Sequence, residues 1–455
     1  MKFKRDWWLP ALILSLAGLK YFYQAWVFGP FEIDQEFLSL EAWRLVKEST
    51  LSLIGAGTSF GGLYIGPFYT YFIAGIMALT RFYPPTLNLV SALWATAVPV
   101  GLYFIGRQLF SRAAGLIAAL MAAISIGYMP LIDIPPLVVP FGLVSLLTFY
   151  CLSQLKIGKF MFFAAVTLAG ISLHLHFTGL YLSLFILLWI LITHYQLKLK
   201  DYLIALGILI FFLSPLIIFD LRHDFLNSRN FITFILTTNG LKVILKSLGH
   251  GLILSLTSLG AVFNNFQAYN LIAGSLAWLS FIIYFFRLKT KTTAHYLLLS
   301  WLVFPIALNG LYTGRLLPYY YTFHHPQTFL ALGLVLAKFT RHLWGCTILI
   351  TLGLLFMILN LTWIFHKPNA FSLSHKMAAF TVITRHAGTT DINVSFTVEH
   401  SRRGGLDFLR RYYGFDSELK PNRPTYTIIS PFFYERLVGD YQFGEIGVLL
   451  PPPQP

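Results

Sequence analysis

The chain has 455 residues, of which 56% are hydrophobic and only 11% are charged, and its formal net charge is +15. So few charged residues exclude an ordinary soluble globular protein and indicate a polytopic membrane protein. Many of the basic residues stand in short connections between apolar runs, where they set topology and contact lipid headgroups, so we expect no nucleic-acid partner. The two cysteines, Cys151 and Cys346, lie inside apolar segments and indicate neither a disulfide framework nor a zinc site.

The first apolar run, at 7–28, follows a basic start and is long enough to cross a bilayer, so the positive-inside rule places the N-terminus in the cytoplasm. No small-residue cleavage site follows it, and we expect it to be retained as a membrane anchor. Residues 29–62 then form the first outer loop. Ionisable groups at a membrane boundary are costly to desolvate, which makes this loop the first candidate site. It contains the carboxylates of Glu32, Asp34 and Glu36.

Apolar runs continue along the chain and predict a helical membrane domain over residues 1–366. Further crossings are expected at 87–105, 113–129, 136–155, 160–173, 177–193, 202–219, 271–286, 295–312, 327–338 and 343–365. We interpret 63–80 as re-entrant or interfacial, leave 251–263 open, and expect an amphipathic helix in the interface at 230–248. The total is about eleven crossings, or about thirteen if both ambiguous segments span, and either odd number places the C-terminus outside the cell membrane.

Basic residues mark alternate connections as cytoplasmic, beginning with Arg107 and Arg112 and continuing with Lys156 and Lys159. The opposite connections are then expected to face outward with the first loop. They carry Asp133, the corner of His174 and His176, the 220–224 loop with Arg222 and His223, and the 315–325 stretch with Arg315. Acids, arginines and histidines are therefore expected to share the outer face.

After residue 366 the composition becomes mixed, with strand-like runs at 394–398 and 425–429 and a helix-like run at 405–413. Residues 367–455 are therefore predicted to form a small soluble extracytoplasmic α/β domain with a modest core of its own. The complete fold class is an all-α polytopic membrane protein with this α/β domain at its C-terminus.

The outer face offers the groups needed to deprotonate an acceptor hydroxyl and to hold a phosphate, namely a carboxylate base and cationic partners. Each group also has a structural interpretation. Asp34 is equally suited to cap the helix that follows it, Arg222 and Asp224 to form an ion pair, and His174 or His176 to be hydrogen-bonded within a bundle. Nucleotide-binding motifs are absent, so energy coupling through nucleotide hydrolysis is not expected.

Five short motifs, in this order along the chain, resemble the bacterial protein-mannosyltransferase type of the GT-C superfamily, which includes the aminoarabinose transferase acting on lipid A. They cover roughly residues 7–340. The motifs are Asp34-Gln35-Glu36, Gly66-Pro67-Phe68-Tyr69-x-Tyr71, Gly106-Arg107-Gln108-Leu109-Phe110, His174-x-His176-Phe177-Thr178 and Phe219-Asp220-Leu221-Arg222-His223.

The resemblance implies a membrane glycosyltransferase that takes its sugar from a polyprenyl phosphate and transfers it with inversion. It places Asp34 at the catalytic-base position with Glu36 as a neighbouring acid. The residues assigned to lipid-phosphate and donor binding are Arg222, Arg315, His174, His176, His223 and Tyr69. A divalent metal is possible, with Glu36 and Asp133 as candidate ligands.

The chain departs from the resemblance at one position of the second motif. Relatives often carry His-Pro-Pro or Lys-Pro-Pro where this chain has Ile65-Gly66-Pro67, so a basic residue near the lipid phosphate is missing there. Either Arg222 or Arg315 is then expected to replace it. The alternative function is a transporter or flippase for a lipid-linked saccharide, which predicts charges in the middle of spans rather than at one boundary.

Overall fold

A computed structural model describes residues 7–27, 29–58, 61–125, 135–236, 241–261, 267–309, 318–366, 371–399, 403–430 and 440–452. The first helices are α1 (Trp8–Val27), α2 (Ile33–Lys47), α3 (Phe68–Leu79), α4 (Thr86–Leu109), α5 (Arg112–Ile124), α6 (Val139–Ser153), α7 (Lys159–Ser172), α8 (Gly179–Ile192) and α9 (Leu199–Arg222). They are followed by α10 (Leu226–Leu236), α11 (Leu241–Ala261), α12 (Gln267–Arg287), α13 (Thr293–Asn309), α14 (His325–Leu336) and α15 (Leu343–His366).

The predicted apolar runs coincide with helices from α4 onward, and the mostly helical architecture is confirmed. Among the described residues, four helices are long and apolar enough to cross a bilayer by length and composition: Thr86–Leu109, Leu199–Arg222, Tyr269–Arg287 and Leu343–Thr362. Several other apolar helices are shorter. Helix α3 has 12 residues and spans about 18 Å, well short of a hydrocarbon core of about 30 Å. The number of crossings stays a prediction.

The segments that join the helices lie at two ends of the bundle, and contacts between them show which segments share an end. At one end the Lys159 ammonium, at the start of α7, pairs with Asp201 at the start of α9. At the other end of α7, the Gly66 N–H donates to the Leu173 carbonyl at 3.3 Å, and Asn227 bonds to the first loop. This second end, formed by residues 29–66, 173–178 and 220–230, is called the loop end below. The predicted grouping of the first loop with the 174–176 and 220–224 corners is therefore seen in the fold.

The segment before residue 261 differs from the sequence prediction. Helix α11 runs without interruption over Leu241–Ala261, so the single helix expected at 230–248 is wrong: the first part of that segment belongs to α10 and the second to α11. An interfacial position of these residues stays a prediction. Two lysines and several glycines had lowered the local hydropathy. Helix α11 packs closely on α12, because a Cβ at Gly260 would lie 1.7 Å from the Asn270 carbonyl oxygen and one at Gly274 would lie 1.8 Å from that of Leu256.

The C-terminal part forms a small α/β unit, as predicted. It contains α16 (Leu373–Ala387), β1 (Asn393–Thr397), α17 (Leu406–Tyr412), β2 (Thr425–Ile429), β3 (Tyr441–Phe443) and β4 (Ile446–Leu449). The sheet order is β1-β2-β4-β3, with β1 parallel to β2 and the other pairs antiparallel. Its core is continuous with that of the helical bundle, because Phe408 packs 5.6 Å from Phe31 of the first loop.

Candidate active site

The start of the first loop is fixed by hydrogen bonds to two distant parts of the chain. The Gly29 carbonyl accepts from the Leu373 N–H at 2.9 Å, and the Pro30 carbonyl accepts from the Asn88 side-chain amide at 3.0 Å. Phe31 is fully buried. A loop held at consecutive residues in this way presents the helix that follows it in one orientation.

Helix α2 begins directly after this anchor. Its N-cap is Glu32, whose N–H donates to the Gln35 side chain at 3.0 Å. The interpretation in which Asp34 caps the helix is therefore wrong. Asp34 lies in the first turn with an exposed side chain, yet protein surrounds the carboxyl closely enough that burial raises the pKa of Asp34 above its usual value.

Glu36, two residues further on, reaches the C-terminal domain. Its carboxylate accepts from the N–H groups of Asp407 at 2.8 Å and Phe408 at 3.1 Å. These are first-turn residues of α17, so Glu36 caps that helix and satisfies two of its free donors. Burial raises the pKa of Glu36, while the hydrogen bonds from these N–H groups oppose the shift. A catalytic part for Glu36 stays a prediction.

The three carboxylates at the start of the loop are thus in different states. The carboxylate of Glu32 lies 3.2 Å from the Lys376 ammonium, and that of Glu36 is bound to α17. Asp34 makes no hydrogen bond or ion pair to any residue that the structure describes. Of the three, Asp34 is the one whose carboxylate is available to a substrate.

The second half of the first loop folds back as a short hairpin. The Gly55 N–H donates to the Ile65 carbonyl at 2.8 Å, and the Ile65 N–H donates to the Ala56 carbonyl at 3.1 Å. Asn227, near the start of α10, pairs with both backbone groups of Tyr64, at 2.7 and 3.3 Å. An asparagine can imitate a neighbouring strand because its side chain offers one acceptor and one donor pair. The sequence analysis missed Asn227, since asparagine in a loop gives no signal of a distant partner.

Asp220 holds Asn227 in place through hydrogen bonds. Its carboxylate accepts from the N–H groups of Asn227 at 2.7 Å and Ser228 at 3.0 Å, so it caps the start of α10 as an acidic residue should. Asp220 thus holds Asn227, and Asn227 binds the hairpin of the first loop. Through these two contacts the predicted 220–224 loop lies against the first loop.

Arg222 and His223 occupy the end of α9 at the loop end. Arg222 is exposed, and the predicted alternative of an ion pair with Asp224 is wrong, because the two described side chains form none. The His223 ring stacks on Phe219 with centroids 4.2 Å apart, and its Nδ1 lies 2.8 Å from the Phe219 carbonyl oxygen. The guanidinium of Arg222 is therefore uncommitted, whereas the imidazole of His223 is held by its own helix.

His174 occupies the space that a side chain at position 66 would need. A Cβ built on Gly66 would lie 1.9 Å from the His174 Nδ1, and the imidazole stacks on Phe68 with centroids 4.3 Å apart. Burial lowers the pKa of His174 to about 4, so the ring is neutral near pH 7. The glycine that departs from the relatives' motif is thus matched to this histidine.

His176 and Tyr69 complete the histidine corner. His176 Nδ1 lies 2.8 Å from the Thr178 hydroxyl, and its ring lies 5.0 Å from that of Tyr320. Burial lowers the pKa of His176 to about 4. Tyr69 donates its hydroxyl to the Pro136 carbonyl at 3.3 Å. The imidazoles of His174 and His176 are therefore both neutral near pH 7.

A cavity of about 230 Å³ lies between α3, α4, α6 and α7, directly beside His174. Phe72 stands at its edge and is 43% exposed, so the cavity opens toward the surface of the bundle. Its lining is almost entirely apolar and aromatic: Phe68, Tyr69, Phe72, Trp94, Pro140, Val144, Ile171, His174 and Leu175. Such a lining suits a hydrocarbon chain.

Two predicted site residues, Arg315 and Asp133, lie outside the described residues. Within the described ranges no three His, Cys, Asp or Glu side chains are close enough to hold a metal ion. Glu36, the other candidate ligand, is bound to backbone N–H groups.

The match between Gly66 and His174 gives a stability prediction. We expect Gly66→Ala to destabilise the protein by about 1–3 kcal/mol, because the new methyl group displaces a buried imidazole. Thermal unfolding in detergent measures the change. Gly75→Ala is the matched control on α3, where a new Cβ meets nothing within 4 Å. Adding His174→Ala should return most of the loss, and an unchanged transition in Gly66→Ala alone would contradict the prediction.

The fold resembles solved structures of one class of membrane enzyme. ArnT from Cupriavidus metallidurans, bound to undecaprenyl phosphate, matches with a TM-score of 0.63 at 11% identity, over 98% of this chain and 99% of that chain. An oligosaccharyltransferase from Archaeoglobus fulgidus matches in its apo form with a TM-score of 0.53 at 12% identity, over 90% of this chain and 64% of that chain.

Residues 65–219 match the family model described as dolichyl-phosphate-mannose-protein mannosyltransferase. No curated protein sequence matches the chain. Together with the fold, the family match confirms the predicted resemblance to the GT-C superfamily of polyprenyl-phosphate-sugar-dependent glycosyltransferases. The resemblance is to the bacterial protein-mannosyltransferase and aminoarabinose-transferase type, as predicted.

Proposed function

We propose that the protein is an inverting glycosyltransferase of the cell membrane that moves one sugar from a polyprenyl phosphate to an extracytoplasmic acceptor such as a cell-envelope glycan, lipid or protein. In this proposal the loop end and the C-terminal domain face outward and the N-terminus is cytoplasmic. The observation that carries the proposal is the isolated carboxylate of Asp34 on an anchored helix, within a fold shared with ArnT.

Asp34 is proposed to act as the general base. The acceptor hydroxyl gives its proton to the Asp34 carboxylate while its oxygen attacks the anomeric carbon, and the bond from that carbon to the phosphate oxygen breaks on the opposite face. Inversion follows from this single displacement. A positioned base contributes about 10²- to 10⁴-fold to such a step.

The carrier lipid is proposed to lie along the apolar cavity, with its phosphate at the loop end. ArnT supports this choice of ligand, since it was solved with undecaprenyl phosphate. Binding energy from the hydrocarbon chain then orients the sugar without entering the chemistry. Arg222 is an exposed cation of this end that forms no ion pair within the described residues, and with Arg315 it is proposed to neutralise the departing phosphate.

The alternative function is a flippase, which predicts charged residues in the middle of membrane spans. One buried lysine of the first helix has such a position. Lys20 is 2% exposed in the middle of α1, and its ammonium contacts the Ser125 carbonyl and the Tyr21 hydroxyl. The contact with Ser125, directly after α5, also suits a structural part, since it holds α1 against that helix. The experiment that separates the functions is transfer from a synthetic polyprenyl-phosphate sugar by detergent-purified protein. A flippase gives no transfer product in detergent and instead moves the lipid-linked saccharide across the membrane of a vesicle.

The raised pKa of Asp34 predicts the pH dependence of the reaction. A base works only when it is deprotonated, so kcat/KM should fall as the pH drops through the pKa of Asp34. Because that pKa lies above the usual value for aspartate, the acidic limb should lie at higher pH than an unperturbed carboxyl near 3.9 would give. Initial rates measured across the acidic range test this. A limb at or below the usual value would contradict the environment assigned to Asp34.

A further inference from the structure

The C-terminal domain contains a lysine that is buried as deeply as the core. Lys376, in the first turn of α16, is 1% exposed. Its ammonium donates to the Gly404 carbonyl at 2.7 Å, to the Phe31 carbonyl at 2.8 Å and to the Glu32 carboxylate at 3.2 Å. Three donors thus meet three acceptors, which completes the hydrogen bonding of a lysine. Burial lowers the pKa of Lys376, and Glu32 opposes that shift.

Two of these three acceptors belong to the segment that carries Asp34. Phe31 and Glu32 immediately precede α2, and Asp34 lies in the first turn of that helix. Helix α16 holds the same segment a second time, through the Leu373 N–H and the Gly29 carbonyl. Because an α-helix moves as a unit, fixing the residues at its start also fixes the carboxylate one turn away.

The third acceptor joins the same point to the loop before α17. A Cβ at Gly404 would lie 2.5 Å from the backbone nitrogen of Ile33, so backbone packs on backbone here. Gly405 has a φ of +88°, which favours glycine. Glu36 of α2 adds a second link to the same loop, because its carboxylate caps α17 directly after Gly405. Lys376 stands where α16, α2 and this loop meet.

A buried ion pair seldom maximises the stability of the folded protein, because well-packed apolar residues of similar volume often stabilise it as much or more. The hydrogen bonds of the ammonium are directional, whereas apolar contacts are not. They therefore fix the orientation of the loop backbone as well as its distance from α16. We propose that Lys376 is a positioning residue for the transfer reaction: it holds the start of α2 so that the Asp34 carboxylate meets the acceptor hydroxyl. The inference rests on the proposed function of Asp34, and Lys376 itself touches no reacting atom.

The first test is Lys376→Met, which keeps the length and apolar stem of the side chain and removes the ammonium. A displacement of about 1 Å in a catalytic group can cost about 10²-fold in rate. We therefore expect kcat to fall by about 10²-fold while KM for the polyprenyl-phosphate sugar stays within about twofold, since the donor is bound elsewhere. Lys420→Met is the matched control, because Lys420 is a half-exposed lysine of the same domain, paired with Asp416; it should leave both constants unchanged.

The decisive measurement repeats Lys376→Met in an Asp34→Asn background. If Lys376 acts through Asp34, the residual rate of Asp34→Asn should not fall further. An equal fold-loss in both backgrounds would overturn the positioning proposal and leave only a structural part for Lys376. A wild-type rate in Asp34→Asn alone is a different result, because it refutes the proposed base and not the coupling.

A further variant covers the case in which Lys376→Met fails to fold. Glu32→Gln keeps an acceptor at the start of α2 and disturbs little packing, since the side chain of Glu32 is 37% exposed. We expect a loss of several-fold in kcat that disappears in the Asp34→Asn background. A well-folded Glu32→Gln protein with wild-type kcat would overturn the proposal.

Discussion

Asp34→Asn is expected to lower the transfer rate by at least about 10²-fold while the protein still folds. Asparagine cannot accept the acceptor proton, and a positioned base contributes about 10²- to 10⁴-fold. Folding should survive, because Asp34 makes no described hydrogen bond and the helix is capped by Glu32. The measurement is single-turnover transfer from a synthetic polyprenyl-phosphate sugar, with elution volume and thermal transition recorded for the same sample.

Glu41→Gln is the matched control for that variant. It makes the same kind of change on the same helix, where Glu41 pairs with Arg44 on the surface, and exposed pairs of this kind contribute little. Its rate should equal that of the unaltered protein. Equal rates in Asp34→Asn and Glu41→Gln would remove Asp34 from the mechanism.

Replacing Arg222 or Arg315 by lysine is the second large effect expected. At least one of Arg222→Lys and Arg315→Lys should lower turnover by about 10²-fold, corresponding to about 3 kcal/mol of transition-state stabilisation. A guanidinium holds two phosphate oxygens at once, which the single ammonium of lysine cannot reproduce. The neutral histidines of the corner at 174–176 cannot take over this charge.

Arg229→Lys serves as the control, since Arg229 is an exposed arginine on the neighbouring helix α10. Each variant is measured with and without chelator. If both Arg222→Lys and Arg315→Lys turn over at the wild-type rate, phosphate neutralisation by arginine is refuted. A chelator-sensitive wild type would assign that part to a metal instead.

The helices were predictable from sequence because each apolar run is long and is bounded by basic or polar residues. Two of the four described strands of the C-terminal domain, β1 and β2, were predicted because their β-branched and aromatic residues form a short run between turn residues, whereas β3 and β4 were missed. The error at α11 has the same origin, because lysines near its start weakened a continuous apolar pattern. Local composition therefore decides what a sequence can reveal about such elements.

The candidate site was predictable only in part. The sequence placed three carboxylates at the start of the first loop, but it did not indicate which of them remains available. That depends on Lys376 and on the start of α17, more than 300 residues away. Lys376 looks like any surface lysine of an amphipathic helix, and nothing near it in sequence indicates burial.

The long-range anchoring of the first loop also has a consequence for biogenesis. The contact between Lys376 and Phe31 joins residues 345 positions apart, and that between Glu36 and Asp407 joins residues 371 positions apart. The first loop leaves the ribosome early, but its final partners are made near the end of translation. A nascent or prematurely terminated chain therefore contains Asp34 without the contacts that fix the start of α2, and these contacts form only after the last domain has been synthesised.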